Sequence, residues 1–354
     1  MILFKSFYNI DLVNSKINMI PIPDDFDFFN EYIDFAMRND STKSFNIRNL
    51  NTTVVHCVSD IATLAISGDE ESDECKEQID EYAYSIADNL LIAELETQQG
   101  IEQMGARIKG GNLLQVLIEN ENNEYVYIIA KVDNSLWYDS NNLKKNYGFS
   151  GERKNVWKSA AFKLKYEDEI AFDDIRIYVD TDAKYWTSRF LDLMENRNDY
   201  SNTYSVLNEM DKLLKKTVKK RSERDYYILR NSLIQRLKCP HLVNYVDLVD
   251  ELFNGYVPDE PSLNLDNVKH DFLELPKKNK FDTQFNADPT AVKKRRHSTF
   301  PVCFGIELRI SDESTDFDQH IKSNEDSSGR RFLEVDCQDE NTYKLFKERV
   351  EISV

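Results

Sequence analysis

The chain has 354 residues, 41% hydrophobic and 31% charged, so it can furnish the core of one large or two ordinary domains and is not an intrinsically disordered polypeptide. No apolar run approaches the roughly 18 residues that span a bilayer, which leaves no membrane partner to expect. The formal net charge is −18, a value that by itself disfavours nucleic acid.

The first residues are apolar but broken by Lys5 and Asp11, without the basic start and cleavage site of a signal peptide. They read as a first strand over residues 2–7. A helix is expected after Pro23, capped by Asp24 or Asp25, with Phe28, Tyr32 and Phe35 at helical spacing. Residues 52–67 begin β-branched and turn Ala-rich, and neither period prevails. Residues 71–99 carry Ile79, Tyr82, Ile86, Leu90 and Ala93 on one helical stripe, ended by Gly100 and Gly105. Two strands follow at 113–118 and 125–132, joined by a polar turn, and two more at 160–166 and 175–179. Between these pairs, residues 139–158 read as a long basic loop.

Beyond residue 182 the period changes to helical, with runs at 183–195, 202–220, 223–238, 243–254 and 262–273. Strands at 300–310 and 331–335, an acidic loop at 311–328 and a last helix at 339–350 close the chain. The expected fold is α+β: an N-terminal mixed sheet with helices (1–181) and a mainly helical C-terminal half with closing strands (182–354).

Catalytic and cofactor signatures are few. The five cysteines (Cys57, Cys75, Cys239, Cys303, Cys337) are odd in number and scattered, without a CxxC pair, which fits a reducing cytoplasm. The five histidines show no metal-ligand spacing, and neither a GxSxG elbow nor a phosphate-binding GxxxxGK[ST] loop is present. No cofactor or metal is implied. Asp173, Asp174, Asp180 and Asp182, followed by Lys184, support a metal-dependent nuclease as one alternative, against a plain turn and helix N-cap. Four glycines (Gly100, Gly105, Gly110, Gly111) surround Arg107 and Lys109, where a helix C-cap and a tight turn outweigh a phosphate-binding nest.

The positive charge is segregated. Residues 144–165, 212–238 and 277–296 together carry +19, against −37 for the other 285 residues. On a helical wheel at 100° per residue, Val206, Leu207, Met210, Leu213 and Leu214 form one stripe, and Lys212, Lys215, Lys216, Lys219 and Lys220 fall opposite, with few acids to pair them. Arg221 and Arg224 continue the charge. The run Lys293, Lys294, Arg295 and Arg296 stands just before a strand, and Lys154 and Lys158 are interleaved with Tyr147, Phe149 and Trp157. Lysines and arginines in these settings suit phosphate contacts.

The order of these features resembles the bacterial nucleoid-associated protein family of the NdpA/YejK type. The resemblance is carried by Gly110 to Leu114 with the strand at 125–132, by residues 183–193 around Tyr185 and Trp186, and by residues 281–289 around Asp282 and Pro289. It implies a cytoplasmic, nucleoid-associated protein that binds DNA without a known catalytic centre. The partner expected is double-stranded DNA, held by phosphate contacts with little sequence preference, and the state expected is a homo-oligomer, a dimer. It transfers no catalytic residue. A protein-interaction or antiphage-defence accessory component, with acidic faces set against a basic partner, is the other alternative.

Overall fold

The structure is a computed structural model that describes residues 1–23, 28–37, 41–67, 72–105, 107–120, 124–132, 135–138, 145–148, 156–181, 183–278, 280–292, 297–311 and 317–347. The first half alternates β1 (Ile2–Asp11), β2 (Lys16–Met19), α1 (Phe28–Met37), β3 (Lys43–Ile47), α2 (Thr53–Ser67) and α3 (Asp73–Ile101). It continues through β4 (Gly111–Glu119), β5 (Glu124–Val132), β6 (Ser135–Tyr138), β7 (Lys145–Gly148), β8 (Val156–Tyr166), β9 (Ile170–Val179) and β10 (Leu193–Glu195). Eight of these strands form one sheet in the order β10-β3-β9-β8-β5-β4-β1-β2.

The α+β class therefore holds, but every pairing in the sheet is antiparallel, where a mixed sheet was expected. The reason is local: β4–β5 and β8–β9 are consecutive strands joined by short connections, and hairpins pair antiparallel. Both faces of the sheet are covered. Leu113, Leu117, Tyr127, Ile129 and Phe162 pack beneath α2 and α3, whereas Leu114, Val116, Ile128, Ala130 and Ala161 pack on the α1 side. Alternate residues thus enter opposite cores, and β4 and β5 read as nearly unbroken apolar runs.

Residues 53–67, unassigned by period, are helical because Val54, Val55, Val58, Ile61, Ala62 and Ala65 make a continuous buried stripe. The basic loop at 139–158 is not a bare loop: β6 and β7 pair as a short hairpin, and β8 already begins at Val156. Residues 183–195 are not one helix. A single π-turn, Trp186–Phe190, precedes β10, which pairs with β3 and ends the sheet.

The second half comprises α4 (Asp199–Thr217), α5 (Glu223–Leu237), β11 (Leu242–Asn244), α6 (Tyr245–Phe253), α7 (Leu265–Leu273), β12 (Gln284–Asn286) and α8 (Pro289–Val292). These helices enclose their own core around Met210, Leu214, Leu233, Val249 and Phe272. Then come β13 (His297–Cys303), β14 (Ile306–Ser311), α9 (Phe317–His320), β15 (Ile321–Glu325), β16 (Arg331–Val335) and α10 (Glu340–Phe346). The expected single strand at 300–310 is a hairpin, because Gly305 at φ 76° reverses the chain between β13 and β14. Part of the acidic 311–328 segment is β15, paired with β16.

The two halves meet at Asp282, whose carboxylate is fully buried. It accepts hydrogen bonds from Ser44 Oγ (2.7 Å), Arg197 Nη1 (3.1 Å) and Asn202 Nδ2 (3.0 Å). Phe281 and Phe285 point into the helical core on either side, while Thr283 Oγ1 and Gln284 Nε2 donate to the carbonyls of Thr42 (3.2 Å) and Val179 (2.7 Å) in the sheet half. Replacing Asp282 by Ala leaves the half-buried Arg197 guanidinium and the buried Asn202 amide without their carboxylate and is expected to lower unfolding free energy by about 3–5 kcal/mol in urea titrations, whereas exposed Lys278→Ala should change it by no more than about 0.5 kcal/mol.

Candidate anion-binding cleft

A cleft of about 790 Å³ opens where α3, the strand ends of β5 and β8, the segment 107–111 and residues 180–181 and 183–189 converge. Each wall has a physical anchor. Trp186 and Phe190 are buried with ring centroids 4.8 Å apart, and Asn89 Nδ2 donates to the Phe190 carbonyl at 2.8 Å. That fixes the π-turn against α3 and leaves Lys184, Ser188 and Arg189 exposed on the cleft side. One-turn π segments of this kind recur at functional sites. On the opposite wall, Gly105 at φ 69° caps the turn that follows α3, as the sequence indicated, and the Ile108 amide donates to Gln98 Oε1 at 2.7 Å. Gly111 admits no side chain, since a Cβ there would lie 2.8 Å from the Val132 carbonyl oxygen.

Beneath the cleft lies a buried polar cluster. Lys131, 1% exposed near the C-terminal end of β5, forms an ion pair with Glu94 of α3, itself fully buried. Lys131 Nζ also donates to the Lys109 carbonyl at 2.9 Å, and the Tyr185 hydroxyl donates to Glu94 Oε1 at 2.9 Å. Burial pushes the Lys131 ammonium below its usual range, and the Glu94 carboxylate works against that shift. Burial, then the Glu94 charge, pushes the Tyr185 hydroxyl well above its usual range, so it remains a donor. Glu94 Oε2 is buried without a hydrogen-bond partner among the described residues. The cluster ties four segments together: α3, β5, the 107–111 segment and the π-turn.

Above it stand the cations. Arg107, Lys109, Lys158, Lys184 and Arg189 line the cleft with Lys131. Arg107, Lys109 and Lys184 are exposed and make no ion pair with any described residue. Lys158, 7% exposed, lies 3.4 Å from Asp180, and Arg189 only reaches Glu96 at 4.0 Å. Against the six cations stand Glu94, Glu96 and Asp180, which leaves three positive charges in excess among the described residues. Lys109 Nζ sits 5.3 Å from the Trp157 ring centroid, an aromatic wall beside the charge. Low-dielectric walls focus such a field on whatever anion enters.

Of the cations assigned to DNA contacts from sequence, only Lys158 among the described residues lines this cleft; Arg107 and Lys109, noted between glycines, and Lys184, noted in the nuclease alternative, line it as well. Lys154 and the run Lys293, Lys294, Arg295 and Arg296 lie outside the described residues. The helical set belongs to α4, α5 and the turn between them, and it is not the unpaired stripe that the wheel indicated. Lys212 pairs with Glu209 (2.8 Å), Lys215 with Asp211 (2.9 Å), Lys219 with Glu223 (3.6 Å) and Arg224 with Asp259 (3.4 Å). Arg221 donates to the Ser262 carbonyl at 3.1 Å. Glu209, Asp211 and Glu223 stand three or four residues from the lysines they neutralise, and Asp259 comes from a distant loop. Lys216 and Lys220 stay exposed without an ion pair to any described residue.

The carboxylates of the nuclease alternative are not gathered. Asp173 pairs with Lys165 and Asp174 with Arg176 on the outer sheet, whereas Asp180 faces the cleft with Lys158. Seven residues of extended strand separate Asp173 from Asp180, roughly 20 Å. Asp182 lies outside the described residues, and among the described ones no cluster of three metal-ligating side chains occurs. No protein family, curated protein or solved structure matches the chain. No helix among the described residues is long and apolar enough to cross a membrane.

Arg189, Glu94, Lys131 and Tyr185 do not stand out as site residues in the sequence, although signals exist. A lone lysine interrupts the apolar run of β5, and a lone glutamate interrupts the apolar face of α3. Truncating one partner of such a pair strands the other, so Lys131→Met should lower stability by about 3–5 kcal/mol, with most of that loss recovered in the Lys131→Met, Glu94→Leu double variant. A double-mutant cycle read by chemical denaturation measures both.

Proposed function

We propose that the protein binds DNA by phosphate contacts, in keeping with the nucleoid-associated resemblance of its sequence, and that the cleft is the anchor of that binding. The observation that carries this reading is the excess of positive charge in one concave site of a chain whose net charge is −18. Cations that find no carboxylate in a strongly acidic protein are poised for an external anion. Lys216 and Lys220 add a smaller set of unpaired charge on the helical half. Binding of this kind releases counterions, so log K falls linearly with log salt and depends little on base sequence.

Gel-shift titrations on a random duplex between low and physiological salt test it. Arg107→Glu with Arg189→Glu is expected to weaken binding and to flatten the salt slope by about 0.9 for each phosphate that is no longer neutralised. Lys216→Glu with Lys220→Glu should have the smaller effect. Absence of binding at low salt overturns the reading.

A second reading, a protein-interaction module, is favoured by one separate observation. Residues 322–347, though ordered into β15, β16 and α10, are all exposed, with Leu345 and Phe346 at 76% and 78%. Two-stranded hairpins are marginal on their own, and such apolar side chains gain by covering. The partner proposed is a second copy of the chain. Leu345→Asp with Phe346→Asp is expected to turn a dimer into a monomer in sedimentation velocity, and an unchanged sedimentation coefficient would exclude this face.

A further inference from the structure

The cleft's cations form a gradient of depth. Arg107 and Lys184 stand exposed at the mouth, whereas Lys158 and Lys131 are 7% and 1% exposed at the floor. The continuous backbone of a duplex is a broad convex surface. It can rest on the mouth, but it cannot carry a phosphate down to Lys158. A volume of about 790 Å³ lies in the range that encloses a single small ligand. Lys131 is held by Glu94 and Lys158 stands 3.4 Å from Asp180, so the unpaired charge rests with Arg107, Lys109 and Lys184 around a cavity that an anionic group can enter end-first.

We infer that the cleft takes a terminal phosphate borne by a nucleotide unit, so that a strand end, not the passing backbone, is its ligand. This deepens the DNA-binding reading and rests on it. Three features fit a terminal phosphate better than an internal one. The excess of three positive charges matches a monoester, which carries about −1.5 to −2, more closely than a singly charged diester. Arg107 and Arg189 offer planar forks that bind phosphate oxygens in pairs. The partly exposed ring of Trp157 lies along the wall, placed to flank the attached nucleoside. Among the described residues Asp180 is the one carboxylate in the lining, and Lys158 at 3.4 Å offsets its charge. A free nucleotide presents the same chemistry, so the test must separate the two sources.

The experiment is a competition series on the full chain with a fluorescent 5′-phosphorylated oligonucleotide. The competitors are the same oligonucleotide with hydroxyl ends, a covalently closed circular duplex, and a nucleoside monophosphate. Loss of the terminal phosphate is expected to weaken competition at least about tenfold, the closed circle should compete no better than the hydroxyl-ended strand, and Arg107→Ala with Lys184→Ala should abolish the discrimination. Because both of those side chains are exposed, the variant keeps its fold, and Lys158→Met probes the floor separately. Equal competition by phosphate and hydroxyl ends, with the salt dependence retained, overturns the end-binding inference while DNA binding stands. Tight binding of the monophosphate with no binding of any DNA at low salt overturns the DNA reading and assigns the cleft to free nucleotides. Failure of every ligand overturns both.

Discussion

One buried ion pair holds the cleft in shape. Lys131 and Glu94 come from the buried C-terminal end of a strand and the inner face of a helix, faces that are otherwise largely apolar. Removing two charges from water is unfavourable by several kcal/mol per ion, and their attraction returns that only when geometry and added hydrogen bonds are good. Here the Tyr185 hydroxyl and the Lys109 carbonyl supply those bonds. Each also draws a surface segment inward, Tyr185 the π-turn and Lys109 the segment that leads into β4. The same pair therefore sets the floor and positions both walls, and the exposed cations of those walls inherit their spacing from it.

Asp282 solves a comparable problem between the halves of the molecule. Residues Phe281 to Phe285 send Phe281 and Phe285 into the helical core and Asp282, Thr283 and Gln284 to the sheet half. A buried carboxylate met by Ser44, Arg197 and Asn202 specifies one docking geometry, because any slip leaves it unpaired.

The legibility of the sequence follows the range of the interactions. Elements set by local periodicity, such as α3, α4 and α5, and strands set by alternation and turn chemistry, such as β4 and β5, are readable within a few residues. Residues 53–67 are ambiguous because β-branched side chains fit a helix when one face is fully buried, and burial is a tertiary fact. The π-turn followed by β10 looks like one helix because its apolar spacing is helical up to the point where β3 captures the chain. Cations are easy to find but their partners are not. Glu223 is four residues from Lys219, whereas Asp259 is 35 residues from Arg224, and only the fold shows which charge is neutralised. The cleft is invisible for the same reason, since it assembles Arg107, Lys131, Lys158 and Arg189 from four separate segments.

The positive charge of this acidic chain is thus divided into a spent part and a free part. Most of the α4 and α5 cations are engaged with neighbouring carboxylates, and the mouth of the cleft holds several that are not. The most direct measurement of where an anion goes is amide hydrogen exchange of the full chain, with and without an excess of short 5′-phosphorylated DNA. Slowed exchange over residues 107–111, 156–158 and 183–189, with α4 and α5 unchanged, is the expected result. Slowed exchange confined to α4 and α5, with the cleft segments unaltered, would contradict a cleft-centred site.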